Sequence, residues 1–183
     1  MRPGASVTLG ALALTLAGCV EADPPEVPTS GPAFSFEGFF EGATLSSATL
    51  KTIGGGERRL AVDGVGVRNP DGSFTLKQTI RWADGDVDRR TWRVRRVGED
   101  RIEAEVEGVR GLAFGQVTGP TFTVSYTFDE GPGVRMQHWM TLQPDGGSVR
   151  NIAVGRVFGI PVARLDETFR RVEPTDLGAR AAR

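Results

Sequence analysis

The fold is decided by the stretch FTLKQTIRW, residues Phe74–Trp82. Its first, third, seventh and ninth residues are large and apolar and its fifth is Gln78, whereas the residues between them are Thr, Lys and Arg. Successive side chains of a β-strand point to opposite faces of the sheet, so this alternation predicts a strand with one buried face. The rest of the chain is best interpreted outward from this strand.

The same alternation continues on the C-terminal side, in residues 101–107, 121–128 and 134–142. Short turn sequences separate the runs, among them Asn69-Pro70-Asp71-Gly72 and Gly98-Glu99-Asp100. Gly, Asn, Asp and Pro supply the backbone conformations that tight turns require. Strands that follow one another across short turns pair in antiparallel fashion, so the pattern predicts an antiparallel meander.

Charge and burial predict how two of the hairpins pair. A loop at residues 98–100 sets Arg95 opposite Glu103 on one face and leaves apolar residues of both strands on the other face. In the hairpin around residues 129–133, the apolar faces coincide when Val124 lies opposite His138. A slip of one residue would mix the faces in either hairpin, so the pattern specifies both registers.

Further runs bring the predicted strands to about ten, because residues 34–40, 44–53 and 59–67 and two runs between residues 149 and 171 are also strand-like. A sheet with so many strands in one small domain must curl, and closure removes its exposed edges. Meander connectivity fits a barrel better than a two-sheet sandwich. The predicted fold is therefore all-β, an antiparallel meander that closes into a small lipocalin-like (calycin-type) barrel over residues 34–172.

The N-terminus has the layout of a secretory signal helix over residues 1–18. Arg2 precedes an apolar run over residues 7–17, which is shorter than the roughly 20 residues that span a bilayer. The run ends in Leu16-Ala17-Gly18-Cys19, which resembles the bacterial lipobox, and this resemblance implies cleavage after residue 18 and acylation of Cys19. The alternative is ordinary cleavage after Val20-Glu21-Ala22, with Cys19 as a small residue of the signal.

A lipid on Cys19 would anchor the mature protein in the bacterial cell envelope. Two or three acyl chains hold a protein stably on a membrane, whereas a single chain does so only marginally. Val20, the second mature residue, favours the outer membrane and a barrel that faces the periplasm. The prolines of residues 19–33 predict a flexible linker beyond the anchor, and residues 173–183, with one large apolar residue, predict a disordered tail.

Composition excludes several kinds of site. The net charge of −1 over 183 residues gives no basic surplus for nucleic acid. One His and one Cys, the latter assigned to lipid, do not make a zinc or copper ligand set. Asp84, Asp86 and Asp88 imitate the start of a calcium loop, but Arg89 stands where that loop needs glycine. We therefore expect no metal and no cofactor, and, without a nucleophile motif, no enzymatic activity.

Several stretches taken together resemble a known family. They are Phe39-Phe40-Glu41-Gly42, Arg90-Thr91-Trp92-Arg93, His138-Trp139-Met140 with Asn151, and residues 158–163. In this combination the chain resembles the bacterial lipoproteins catalogued as domain of unknown function 3833, over most of residues 34–171. The resemblance implies a lipidated, envelope-located β-protein related to lipocalin-type ligand carriers, with no assigned activity. Residues 43–59 depart from the family pattern, because they contain three consecutive glycines.

Polar residues that interrupt the apolar faces are the candidates for a ligand site. The turn at residues 69–72 is expected to bring Asp63 opposite Gln78 on the buried face, and Tyr126 and His138 lie on the apolar faces of their own strands. A buried polar group without a partner costs about 1–3 kcal/mol, so these residues should bind one another or line a wet pocket. His138 is interpreted first as a hydrogen-bonded core residue and otherwise as a polar group of the cavity.

A cluster of arginines offers a second kind of site, for anionic lipid headgroups: Arg89, Arg90, Arg93, Arg95 and Arg96. Three glutamates across the hairpin, at positions 103, 105 and 107, balance most of this charge. The preferred interpretation is therefore a solvated pair of strands.

Two functions remain as hypotheses. The first is a membrane-anchored lipoprotein that binds or carries a lipid or other small apolar ligand, with Asp63, Gln78, Tyr126 and His138 at its polar end. The alternative is a structural lipoprotein that docks onto an envelope protein partner and holds no ligand. Trp139 indicates this alternative, because it lies on the face opposite His138.

Overall fold

The computed structural model describes residues 20–28, 30–54, 56–173 and 175. In chain order the elements are α1 (Phe36–Phe40), β1 (Gly42–Thr52), β2 (Glu57–Arg68), β3 (Phe74–Trp82), β4 (Val87–Arg96), β5 (Arg101–Val106), β6 (Leu112–Thr118), β7 (Thr121–Thr127), β8 (Arg135–Leu142), β9 (Ser148–Val157) and β10 (Ile160–Val172). Cys19 and the predicted signal lie outside the described residues.

The strands form a closed antiparallel barrel. Each strand pairs with the next along the chain, and β10 pairs back onto β1, from Ala43 opposite Val172 to Thr52 opposite Ala163. Closure gives every strand two neighbours, so no backbone edge is left for another chain to pair with. The prediction of an all-β meander that closes into a barrel is confirmed.

The two hairpin registers deduced from charge and burial are confirmed. Arg95 lies opposite Glu103, and Val124 lies opposite His138. The expected pairing of Asp63 with Gln78 is wrong by one residue, because Gly64 lies opposite Gln78 and Asp63 lies opposite Thr79. A shift of one residue moves a strand side chain to the other face. Asp63 therefore faces outward, where its carboxylate accepts a hydrogen bond from Arg81 Nε at 3.2 Å.

The cause of this shift is the loop between β2 and β3. The backbone N–H of Asn69 donates to the Ser73 carbonyl at 2.8 Å, and the Asp71 carboxylate accepts from the backbone N–H of Ser73 at 3.0 Å. These bonds close a loop of five residues, 69–73, whereas the predicted pairing needs a loop of six. Side-chain bonds of this kind are not visible in an apolar pattern.

The prediction of a strand at residues 34–40 is wrong, because Phe36–Phe40 is the short helix α1. Ser35 caps it, since its hydroxyl accepts from the backbone N–H of Gly38 at 3.0 Å. Phe36, Phe39 and Phe40 are spaced so that one helix face carries all three rings, and all three are buried. These three phenylalanines therefore have helical spacing.

Strand β6 was not among the predicted strands, because Gly115 interrupts its apolar alternation. Gly115 faces the interior, and a Cβ at that position would overlap the ring of Phe122. A glycine in a strand commonly marks such a close approach of a neighbouring group. The total of ten strands is nevertheless as predicted, since β6 replaces the strand expected at residues 34–40.

Helix α1 closes one end of the barrel, which we call the plugged end. The ring of Phe40 packs edge-on against Phe169 at 5.4 Å between centroids, and that of Phe36 lies 5.3 Å from Phe122. The carboxylate of Glu37 accepts from Arg96 of β4 at 2.5 Å and ties the helix to the wall. The opposite end, which we call the mouth, carries the turns at residues 53–56, 83–86, 107–111, 128–134 and 158–159.

The segment before α1 lies against the outside of the barrel. The backbone carbonyls of Glu21 and Ala22 accept hydrogen bonds from Arg164 and Arg156, at 3.3 and 2.9 Å. The backbone N–H of Phe34 donates to the Gly119 carbonyl at the plugged end, at 2.8 Å. The described part of the predicted linker therefore contacts the wall and does not project freely from it.

Trp139 faces outward from β8, as its position opposite His138 requires, but it is buried, with 6% of its surface exposed. Ile152, which lies opposite it on β9, is buried as well. This outer face therefore offers no exposed tryptophan for a docking partner. Among the residues with described positions, no helix is long and apolar enough to cross a bilayer.

Candidate functional site

The half of the barrel interior nearest the mouth contains a cavity of about 340 Å³. Pockets for small molecules typically measure about 300–1,000 Å³. Most of the lining is apolar, because inward positions alternate with outward ones along every strand. These apolar lining residues include Leu60, Val62, Ile80, Phe128, Met136, Ala163 and Leu165.

Five polar side chains form a hydrogen-bonded row at the floor of the cavity, where the aromatic plug begins. Tyr126 Oη lies 3.0 Å from His138 Nε2, and His138 Nδ1 lies 3.3 Å from Asn151 Oδ1. Asn151 Nδ2 donates to Glu167 Oε2 at 2.8 Å. The hydroxyl of Ser46 donates to the other oxygen of Glu167 at 2.5 Å and ends the row.

Both neutral tautomers of His138 fit these bonds. With the proton on Nδ1, the ring donates to Asn151 Oδ1 at 3.3 Å and Nε2 accepts from the Tyr126 hydroxyl. With the proton on Nε2, the ring donates to Tyr126 Oη and Nδ1 accepts from Asn151 Nδ2 at 3.2 Å, because that amide nitrogen has a second proton for Glu167. Either tautomer satisfies the neutral imidazole on both nitrogens. The row therefore needs no charge on His138.

Burial shifts the pKa of three residues in the row towards their uncharged forms. It lowers the pKa of His138 to about 4, although the hydrogen bond to Asn151 opposes the change. It raises the pKa of Tyr126 to about 12. It also raises the pKa of Glu167 to about 7, against the hydrogen bonds from Ser46 and Asn151. Desolvation disfavours the charged form of each group.

Arg90 points into the same cavity and is the functional candidate that sequence reasoning did not select for it. It lies opposite Gln78 on the inward face of β4, and its guanidinium sits 4.8 Å from the ring centroid of Phe128. No carboxylate among the described residues forms an ion pair with it. The sequence contains a signal for this, because Arg90 is two residues before Trp92, an apolar residue on the face of β4 opposite that of Arg95.

The structure brings together three of the four ligand-site candidates. Gln78, Tyr126 and His138 line the cavity, and the amide oxygen of Gln78 accepts from the Trp92 indole at 2.9 Å. Asp63 lies outside the barrel wall, for the reason given above. A role in ligand binding stays a prediction for the three residues that line the cavity.

The aspartates that imitate a calcium loop are engaged by other side chains. Arg58 binds Asp84 and Asp86, at 2.5 and 3.0 Å, and the Trp82 indole donates to Asp88 at 2.7 Å. Over the described residues, no three His, Cys, Asp or Glu side chains cluster as a metal site would require. The cavity therefore combines an apolar wall, a polar floor, one cation, Arg90, and one carboxylate near the mouth, Asp88.

Comparisons with known proteins agree with the sequence and the fold. A family model described as "Protein of unknown function (DUF3833)" matches residues 13–171. No curated protein matches the chain. Among solved structures, the S-type phycobiliprotein lyase CPES from Guillardia theta is similar, with a TM-score of 0.60 and 10% sequence identity over 75% of this chain and 91% of that chain. At this identity the similarity extends to the fold alone.

Proposed function

This chain belongs to the DUF3833 family, and we propose that it is a membrane-anchored envelope lipoprotein that binds or carries a small amphiphilic molecule in its barrel. The observation that supports this proposal best is the cavity of about 340 Å³, with its apolar wall and polar floor. A cavity in a barrel of this size holds one small ligand.

The wall selects the body of the ligand. Apolar side chains from opposite sides of the barrel, such as Val62, Phe128 and Leu165, all face the cavity. Burial of apolar surface contributes about 25 cal/mol per Å². An acyl chain or another slender apolar group therefore gains most by occupying this space.

Arg90 favours a negatively charged end on that ligand. Arg90 lacks a carboxylate partner in the described chain, whereas His138 is neutral and burial disfavours a charge on Glu167. Asp88, the acidic residue that lines the cavity near the mouth, is held by the Trp82 indole. A carboxylate or phosphate on the ligand would supply the charge-assisted partner that Arg90 lacks.

The anchor follows from the sequence. Cys19 ends a lipobox-like motif, and the next residue, Val20, lines a depression of the outer wall that reaches Gly56 at the mouth. Acyl chains on Cys19 would keep the barrel at the envelope membrane, which we expect to be the outer membrane on its periplasmic side. Mass spectrometry of the N-terminal peptide would give the acylation state directly.

The test of the ligand site is native extraction. The full chain is taken from the membranes of its own host in polymer-bound discs, so that no detergent competes for the cavity, and the bound small molecules are quantified by mass spectrometry. We expect an acidic amphiphile at about one molecule per chain. Repeated extraction without any such molecule would overturn the proposal.

Two neighbouring arginines provide a matched pair of variants. Arg90→Gln removes the cation inside the cavity, and Arg89→Gln makes the same change on the outward face of the same strand. We expect the affinity for a fatty acid to fall at least tenfold in Arg90→Gln and to stay unchanged in Arg89→Gln. Equal affinities in the two variants would show that Arg90 is not the partner of the ligand.

The similar solved structure is named as a lyase, so the extraction should also establish whether the ligand is transformed. The ligand recovered from the chain is returned to it and its mass is measured again after incubation. An unchanged mass supports a carrier. A new product that requires the intact cavity would replace the carrier with an enzyme.

A further inference from the structure

Phe158 occupies a position that packing does not explain. It lies in the turn between β9 and β10, and 89% of its surface is exposed. Its φ of 49° makes it the non-glycine residue with positive φ in the described chain. A bulky side chain disfavours this backbone region, and a large exposed ring gains nothing from burial. The two-residue turn between Val157 and Ile160 accounts for the positive φ, so it is the exposure of the ring that points to a contact outside the barrel.

Phe158 is accompanied by two further exposed apolar side chains at the mouth. Ile160 begins β10 and is 60% exposed. Ile53 directly follows the paired strand β1 and is 52% exposed. The backbone N–H of Ile53 donates to the Val162 carbonyl at 2.8 Å, so the two turns are neighbours. We call Ile53, Phe158 and Ile160 the apolar tip.

Cations lie directly behind the apolar tip. Arg135 of β8 is opposite Arg156 of β9, and both side chains face outward. Arg156 is two residues before Phe158 in the sequence. Like charges directly opposite each other on a sheet are unfavourable unless something neutralises them. Neither arginine forms an ion pair with a carboxylate of the described chain. Arg156 donates a hydrogen bond to the backbone carbonyl of Ala22.

The start of the described chain approaches the same end. Ala22 is held by Arg156. Val20 lines a depression of the outer wall that extends from Arg150 and Asp166 to Gly56 at the mouth. The residue before Val20 is Cys19, which follows the apolar run of residues 7–17. A chain tethered to a bilayer through Cys19 would therefore have its mouth, and not its plugged end, beside the lipid.

We infer that the apolar tip inserts into the surface of an anionic bilayer, with Arg135 and Arg156 at the level of the lipid headgroups. An apolar tip with cations behind it is the arrangement of proteins that lie on a membrane. The occupant is the bilayer that holds the anchor, and the inference rests on the proposed anchoring. It goes beyond that anchoring because it fixes how the barrel faces the membrane, with the cavity opening towards the lipid.

The inference is tested with the full chain reconstituted in vesicles of phosphatidylethanolamine and phosphatidylglycerol. Cys19 is the single native cysteine and is blocked when acylated, so a new cysteine is labelled selectively with an environment-sensitive nitrobenzoxadiazole dye. One protein carries Ile53→Cys in the apolar tip. The control carries Val97→Cys, which is 50% exposed beside the β4–β5 turn at the plugged end.

We expect at least a twofold brighter, blue-shifted emission at position 53, with quenching by nitroxide-bearing acyl chains, and an aqueous signal at position 97. Phe158→Asp should return the signal at position 53 to its aqueous value. Phe114→Asp, a matched change at a ring that is 58% exposed on the outer face of β6, should leave it unchanged.

Three results would overturn the inference. They are an aqueous signal at position 53, equal immersion of both labels, or shielding of position 53 without vesicles, which would indicate a second copy of the chain as the occupant. If the N-terminal peptide carries no acyl chain, the anchor has failed separately. The tip is then tested by sedimentation with the same vesicles, where a chain that stays in the supernatant overturns the inference as well.

Discussion

Burial shifts the pKa values of both His138 and Glu167 towards the uncharged forms. The two residues are joined through Asn151, and burial moves the pKa of the acid up and that of the base down. A hydrogen-bonded neutral row can remain buried at small cost, whereas an isolated buried charge cannot. In their uncharged forms, these floor residues do not repel an anionic ligand that binds Arg90.

Glu167→Gln should change how stability depends on pH. In the native chain the pKa of Glu167 is raised from 4.5 to about 7, so its favourable contribution is complete below about pH 4.5 and is lost as the pH rises through 7. Gln does not titrate. The free energy of unfolding of the variant should therefore rise relative to that of the native chain between pH 5 and pH 8, by up to about 3 kcal/mol. Urea unfolding of both proteins at pH 5 and at pH 8 measures the difference.

The comparison with the variant is needed because His138 acts in the opposite direction. The pKa of His138 is lowered to about 4, so its contribution is present above about pH 6.5 and is lost as the pH falls. Between pH 5 and 6.5 the two effects offset each other in the native chain. A difference between variant and native chain that stays constant with pH would contradict the assignment for Glu167.

Gly66→Ala should destabilise the contact between the plug and β2. A Cβ at position 66 would overlap the carbonyl oxygen of Phe40, which belongs to the backbone and cannot rotate away. Overpacking of this kind costs about 1–3 kcal/mol. Gly147→Ala is the control, because the nearest atom to its Cβ would be 4.0 Å away. Thermal unfolding of both variants measures the costs, and equal midpoints would contradict this account of Gly66.

At the scale of the elements, α1 shows how far a sequence pattern carries. A helix of five residues cannot display a full helical period, and its phenylalanines follow a predicted strand pattern equally well. What favours the helix is the Ser35 cap together with a pocket of aromatic rings that the closed barrel provides, including Phe74 and Phe122. That pocket exists only after residues far apart in sequence have met.

Removal of a plug ring should cost far more than removal of a tip ring. Phe40 is 1% exposed within the plug, and Phe40→Ala should lower the free energy of unfolding by about 3–5 kcal/mol. Phe158→Ala removes the same ring from an exposed turn and should change stability by less than about 0.5 kcal/mol. Denaturant titrations of the two proteins provide the comparison. A large loss in Phe158→Ala would mean that the ring has a structural role.

At the scale of the molecule, the sequence predicted the barrel because alternation is a local property that ten strands repeat. It also predicted that Gln78, Tyr126 and His138 face inward, since each has apolar neighbours two residues away. It misplaced Asp63 because register depends on loop length, and the β2–β3 loop is set by side-chain bonds of Asp71. Asn151 and Glu167 could not be paired with His138 before the order of β8, β9 and β10 was known.

Ala163→Phe should fill the cavity near the mouth. Ala163 lines the cavity at the start of β10, and a ring in its place would occupy space that the ligand needs. We expect uptake of a fluorescent fatty acid to fall at least tenfold while the melting temperature stays within a few degrees. Ala61→Phe, on the outward face of β2, is the control and should bind normally. Normal binding by Ala163→Phe would place the ligand elsewhere.

The pairing of β10 with β1 determines when the barrel can close. The first strand must wait for the last one, which follows more than a hundred residues later, from Ala43 opposite Val172. Contacts so distant in sequence form slowly. A chain that has emerged only as far as Val157 would have two strands with one unpaired edge each, β1 and β9. Truncated products should therefore self-associate or require a chaperone until the final strand arrives.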